Sequence, residues 1–159
     1  MKTLLVYHSR RPCVRTMCEA SAKRDVDVLE LRPYYRKRLF LGAVSSAYAA
    51  LTGRGARIIP LEVDLSQYQS VILVTSLQLL APSAECNEFL YRCDLSGREV
   101  TCVLCSSLRS FGSSAGAALR KRVRLAGGVC RDVMYLTESD LSRKAEEADV
   151  FALLQKAAG

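Results

Sequence analysis

The 159-residue chain has no tryptophan, one histidine (His8), and no apolar run long enough to cross a bilayer. A membrane span needs about 20 mostly apolar residues, and runs such as Leu4–Tyr7 and Val71–Val74 are far shorter. Leu4–Tyr7 is also too short and too strand-like for the core of a secretory signal. With one histidine and one Cys-x-x-Cys pair, Cys102-Val103-Leu104-Cys105, the chain lacks the ligands of a tetrahedral zinc site. No serine and acidic residue stand in an order or spacing that would make a catalytic triad with His8. The aromatics beside a basic cluster are Tyr34 and Tyr35, next to Arg36-Lys37-Arg38, which is a weak match for stacking nucleic-acid bases.

Acidic residues are scarce at the start. Residues 1–60 hold 12 of the 23 Lys and Arg but only 4 of the 16 Asp and Glu, so the net charge of +7 lies in the first third. Such polarity bears on partners rather than fold. The chain length suits a single domain spanning 1–159. Its seven cysteines, Cys13, Cys18, Cys86, Cys93, Cys102, Cys105 and Cys130, are odd in number and sit mostly in apolar stretches. They read as reduced, buried small hydrophobes of a cytoplasmic protein.

What is there is an alternation of strands and helices. Leu4–Tyr7 has the continuous apolar pattern of a strand buried on both faces. His8 and Ser9 end it, and Pro12 suits the first turn of a helix whose stripe is Val14, Met17, Cys18 and Ala22. Val26–Leu31 is a second strand, stopped by Arg32-Pro33. The segment from Tyr34 to Thr52 has a mostly helical composition. Ile58–Val63 is a connector, because Pro60 disfavours a central strand.

Val71–Val74 is the strongest strand signal, followed by a loop over Thr75–Pro82. Ser83 is placed to cap a helix carrying Cys86, Phe89, Leu90 and Cys93 at i, i+3, i+4 and i+7. Val100–Cys105 is a fourth strand, and Ser106–Ser113 a polar loop. A helix with Ala115, Ala118, Leu119, Val123 and Ala126 closes at Gly127-Gly128. Val129–Leu136 is a fifth strand, and Leu141–Leu154 a last helix. The pattern predicts an α/β three-layer sandwich with a five-stranded parallel sheet in the order 2-1-3-4-5 and helices on both faces. Ligands of such sheets bind beyond the strand carboxyl ends. Here those are the loops Ser9–Cys13, Thr75–Pro82 and Ser106–Ser113.

Taken in order, several segments resemble the flavodoxin family from near one end of the chain to the other. They are Lys2–Ser9, Asp25–Pro33, Leu65–Thr75, and Phe89-Leu90 followed by Asp94–Val100. The resemblance implies the flavodoxin-like fold, an FMN cofactor, and electron transfer or a quinone- or NAD(P)H-type reduction, with an acidic redox-partner protein. It places the cofactor loops at Ser9, Arg10, Arg11, Cys13, Val14, Thr75, Ser76, Leu77, Gln78, Ser106, Ser107 and Phe111. It names no catalytic residue, and whether the protein is an enzyme stays open.

The cofactor motifs depart from that family. Its phosphate loop commonly runs Ser/Thr-x-Thr-Gly-x-Thr; the corresponding residues here are Ser9-Arg10-Arg11-Pro12-Cys13-Val14. Arg11 and Val14 stand where threonines would donate, and Pro12 replaces a glycine and removes an N–H. Gln78 stands where an aromatic ring would cover the flavin. The third loop, Ser106–Gly112, has little of the family's glycine, though Phe111 could stack on a ring.

Two expectations follow. One is an FMN protein whose phosphate is held by guanidinium groups of Arg10, Arg11 and Arg15. The other is a non-flavin binding or regulatory module whose basic surface (Arg10, Arg11, Arg32, Arg36, Lys37, Arg38) engages a phosphate-bearing ligand or an acidic protein. Cys13 beside arginines would favour thiolate, or is an inert residue at the helix start. His8 could move protons or simply hold a structural hydrogen bond. Arg120-Lys121-Arg122-Val123-Arg124 reads as a solvated helix face.

Overall fold

Strand and helix alternate as the hydrophobic pattern requires. A computed structural model describes residues 2–22, 25–34, 39–107, 112–137 and 139–140, with only the backbone of 39–43 and 112–113. The elements are β1 (Thr3–His8), α1 (Pro12–Ala20), β2 (Val26–Glu30), α2 (Leu39–Leu51), β3 (Ser70–Gln78), β4 (Ala81–Pro82), α3 (Ala84–Arg92), β5 (Glu99–Ser106), α4 (Gly112–Leu125) and β6 (Val129–Thr137). The main sheet runs β2-β1-β3-β5-β6, every pair parallel. That is the expected order once β4, an unforeseen short strand antiparallel to β3, is set aside. The segments expected as the last helix (141–154) and at Arg36–Arg38 and Phe111 lie outside the described residues.

The core has two halves because side chains alternate along each strand. One face buries Leu4, Val6, Val71, Leu73, Val100, Cys102 and Leu104 against Phe89 and Leu90 of α3 and Leu119 and Val123 of α4. The other buries Leu5, Tyr7, Ile72, Val74, Val103 and Cys105 against Val14, Met17 and Cys18 of α1. Each buried Leu, Val or Phe contributes about 1.5–3 kcal/mol relative to exposure. At the end of α4, Gly127 takes φ +85. Its N–H donates to the Arg124 carbonyl and that of Gly128 to the Val123 carbonyl, a Schellman closure that only glycine adopts without strain.

Cys102 and Cys105 lie in opposite core halves, as their spacing on a strand requires. Burial pushes the Cys105 thiol up to about 12. Alkylation of native protein should therefore modify both slowly and modify both at once after denaturation. A native Cys102–Cys105 disulfide, seen by peptide mapping, would contradict this strand.

The stretch after Val74 departs from expectation. It was predicted as a loop from Thr75, but β3 continues through Gln78 and turns back into β4, pairing Leu77 with Pro82 and Gln78 with Ala81. The reason is that the polar side chains of Thr75, Ser76 and Gln78 all find buried partners, so the ladder continues after the apolar run ends. The turn is tight: Leu79 has φ +56, a left-handed conformation costly for a side-chain-bearing residue. Leu79 and Leu80 are both exposed at its tip.

The basic helix face is also corrected. Arg122 is half-buried and donates from Nη1 to Asn87 Oδ1 at 2.5 Å, so it is part of the α3–α4 packing rather than a solvated charge. Burial draws its guanidinium below the usual arginine range.

Candidate functional site

The carboxyl ends of β1, β3 and β5 come together because the parallel register aligns them. His8 lies beside Thr75 and Thr75 beside Leu104; one step on, Ser76 lies beside Cys105. The loops leaving β1 and β5 therefore border the end of β3. The switch in strand order lies between β1 and β3, where a ligand crevice is expected.

The first loop is tied to both neighbours. Ser9, only 5% exposed, shares a hydrogen bond with Ser76 at 2.7 Å between hydroxyls. The Arg11 backbone N–H donates to the same Ser9 oxygen at 3.1 Å. The Arg11 side chain crosses from the first loop to the third and donates from Nη2 to Ser107 Oγ at 2.9 Å. Arg10 is exposed. The first loop is thus tied to the end of β3 by the Ser9–Ser76 pair and to the third loop by Arg11.

The start of α1 has a different character. Pro12 occupies its first position, Arg11 is the N-cap residue with no side-chain capping bond, and the first intrahelical bond is Arg15 N–H to the Arg11 carbonyl at 3.2 Å. The N–H groups of Cys13 and Val14 accordingly have no partner within the helix. Val14 is fully buried in the α1 core half, and half-buried Cys13 packs against that half. Cys13 is thus a helix-start residue against the core, one of the two placements weighed for it.

A second polar cluster lies one step deeper, and it centres on a residue the sequence did not single out. Ser83 caps α3, its hydroxyl accepting from Cys86 N–H. The Thr75 hydroxyl oxygen accepts from Ser83 N–H at 3.1 Å, and Thr75 donates to Ser83 Oγ at 3.1 Å. This cap fixes Glu85 in the first turn of α3, where the helix dipole favours a carboxylate. Glu85 is wholly buried. Its carboxylate accepts from Ser46 Oγ at 2.8 Å and from Gln78 Nε2 at 3.2 Å, and His8 Nε2 lies 3.4 Å from Oε2. Ser46 also reaches Gln78 Oε1 at 3.2 Å.

His8 Nδ1 sits 3.0 Å from the Leu31 carbonyl, which can only accept, so Nδ1 carries a proton. Nε2 then faces the Glu85 carboxyl group from 3.4 Å and makes no hydrogen bond among the described residues. Of the two roles foreseen for His8, the structural hydrogen bond is the one present. Gln78 is spent on this cluster, while Leu77 packs against the larger core half. Ser106 is half-buried and Ser107 exposed. Neighbouring thiols are muted, with burial pushing Cys86 up to about 11.

Of the expected basic surface, Arg36, Lys37 and Arg38 lie outside the described residues. Arg15 and Arg32 both converge on Glu30, at 2.6 and 2.8 Å, and so answer an acid on their own edge strand. Arg10 and Arg11 carry the positive charge of the first loop. No group of His, Cys, Asp and Glu among the described residues could hold a metal ion, and no described helix is long and apolar enough to cross a membrane.

The sheet order, the two-sided helical cover and the crevice at the β1–β3 switch define a flavodoxin-like α/β protein. Solved structures bear this out. The chain is similar to a flavoprotein in complex with FMN from Lactobacillus acidophilus NCFM, with TM-score 0.68 and 14% identity over 92% of this chain and 97% of that one. It is also similar to a flavoprotein described as putative from Bacteroides eggerthii DSM 20697, with TM-score 0.69 and 16% identity over 95% and 98%. An NADPH-quinone reductase from P. pentosaceus follows at TM-score 0.62 and 12% identity, over 99% and 98%. No protein-family model and no curated protein matches the chain.

Proposed function

We propose that this protein is a flavodoxin-fold binding module whose crevice is not furnished for FMN, and whose first-loop arginines engage an anionic group. One observation carries the reading: the side chains that would greet a flavin are bonded to each other. Ser9 is spent on Ser76, Gln78 on Glu85, and Arg11 on Ser107 across the crevice. Pro12 and Val14 bring no donor in place of a glycine amide and a threonine hydroxyl. The residues present therefore do not fit FMN in the manner of the flavodoxin family. The anionic group belongs to a phosphate-bearing ligand or an acidic partner protein.

A second reading has an observation of its own. The start of α1 lacks a side-chain cap and has two first-turn N–H groups without helical partners, beside Arg10 and Arg11. That geometry suits a phosphate, and the L. acidophilus neighbour is an FMN complex. On this reading the protein is an FMN-dependent electron carrier or reductase with an arginine-held phosphate.

The anion site is tested with pyrophosphate and a polyglutamate peptide as probes, at low and at high salt. Binding should weaken as salt rises, because exposed charges are screened beyond about 8 Å at physiological ionic strength. The double variant Arg10→Glu, Arg11→Glu should lose binding. Lys121→Glu with Arg124→Glu, on α4, should change it little; Arg122 is a poor control because of its bond to Asn87. Equal losses from both pairs would reduce the effect to net charge and remove the first loop as a site.

A further inference from the structure

Helix α2 has no charged residue in its 13 positions. A helix of that composition is ordinarily covered all round, yet α2 is covered on one side. Ser46 and Ala50 are buried, Ser46 against Glu85 of α3. Val44, Tyr48 and Leu51 recur at i, i+4 and i+7, and each is more than half exposed. That spacing sets them in one stripe on the side away from Ser46 and Ala50. The turn between β3 and β4 stands beside the helix, tied to it by the bond between Ser46 and Gln78. Its tip is Leu79-Leu80, both more than half exposed and outside both core halves. Leu79 holds a φ of +56, a conformation that glycine or asparagine usually fills.

The charge around this apolar face has one sign. From Leu31 to Leu61 the chain contains no Asp or Glu. At the end of α2 the Arg54 N–H donates to the Ala49 carbonyl, so Arg54 leaves directly from the last turn. Three residues on, the Arg57 carbonyl accepts from Tyr34 N–H and Ile58 bridges Pro33, which returns the chain after α2 to the chain before it. Arg54 and Arg57 are exposed, and neither is in an ion pair among the described residues. Of the acids on α3, which packs against α2, Glu85 is buried and Glu88 pairs with Arg92.

We propose that α2 and the β3–β4 turn form a face that docks on an anionic phospholipid bilayer, lying in its headgroup region without crossing it. Such a surface supplies negative charge for Arg54 and Arg57 and, just beneath, an apolar layer for Val44, Leu51, Leu79 and Leu80. Tyr48, whose hydroxyl has no hydrogen bond among the described residues, suits the boundary between the two. A second copy of the chain supplies the apolar half alone. A two-fold contact would set the same arginines against each other in a chain of net charge +7. Docking also gives the strained turn a purpose, because the exposed leucines at its tip are repaid outside the chain. None of these residues lies on the first loop, so this face and the anion site there stand or fall separately.

The test is sedimentation of the full-length protein with vesicles of phosphatidylcholine alone and of phosphatidylcholine mixed with phosphatidylglycerol. Binding should be about tenfold tighter on the mixed vesicles and should weaken as salt rises. Arg54→Gln with Arg57→Gln should remove most of the difference between the two vesicle types. Leu79→Gly with Leu80→Ser should weaken binding by about tenfold or more. Because glycine relieves the left-handed turn, that variant should unfold no more easily than the parent, which separates lost docking from lost folding. Leu125→Ser with Val129→Ser, exposed apolar residues at the end of α4 and the start of β6, should change nothing. Equal sedimentation with both vesicle types, or full binding by the Leu79, Leu80 variant, would overturn the proposal. So would a dimer in light scattering that Tyr48→Ser dissociates, which would make a second copy the cover of this face.

Discussion

Glu85→Ala should be the most damaging single substitution in the carboxyl-end region, lowering stability by about 3–5 kcal/mol. Glu85 has no exposed surface, and three groups converge on its carboxylate: His8 Nε2, Ser46 Oγ and Gln78 Nε2. Truncation removes the acceptor and leaves the Ser46 and Gln78 donors without it, each costing about 1–3 kcal/mol if nothing else rearranges. Urea unfolding should show a lower midpoint at unchanged slope, since the surface exposed on unfolding hardly changes. Glu85→Gln keeps an acceptor oxygen for Ser46 and should cost visibly less. A double-mutant cycle with His8→Gln then reads the His8–Glu85 interaction alone, and a coupling near zero would show that the 3.4 Å approach is only proximity.

The second large effect concerns FMN, which the L. acidophilus flavoprotein binds. Restoring the phosphate-loop chemistry with Arg11→Thr, Pro12→Gly and Val14→Thr should tighten FMN binding by about a hundredfold or more. Hydrogen bonds to a charged group are worth about 1.5–3 kcal/mol each, and two of them at the low end amount to two factors of ten at about 1.4 kcal/mol apiece. The first substitution also frees the crevice of the side chain that crosses to Ser107. Val14 is a core residue, so the third substitution carries a stability cost of its own. Including Arg11→Thr with Pro12→Gly as a separate variant separates that cost from the gain in affinity. No gain in either variant would mean that the first loop is not what keeps FMN out.

The frame of this protein was legible because local signals carried it. Val71–Val74 declared β3, Ser83 declared the start of α3, and the three-residue spacing of Cys102 and Cys105 placed them on opposite faces. The continuation of β3 through Gln78 was not legible, because what holds it is polar and distant: Ser9 for Ser76, Glu85 for Gln78. Glu85 was not singled out in the sequence. Its partner His8 is on another strand, and nothing nearby in sequence announces complete burial. At the first loop, Pro12 and Val14 were legible as residues without the N–H and the hydroxyl of the flavodoxin motif. That the Ser9 hydroxyl is bonded to Ser76 could be learned only from their distance.

The central claim is that the polar residues at the carboxyl end of this flavodoxin-like sheet serve each other and not a flavin. Titration of the unaltered, cofactor-free protein with FMN, followed by quenching of flavin fluorescence and by calorimetry, tests it most directly. The account predicts no saturable binding at micromolar FMN and no flavin absorbance in protein purified under mild conditions. Stoichiometric binding at micromolar or lower FMN, with the native fold retained, would contradict it and establish the arginine-held phosphate in its place.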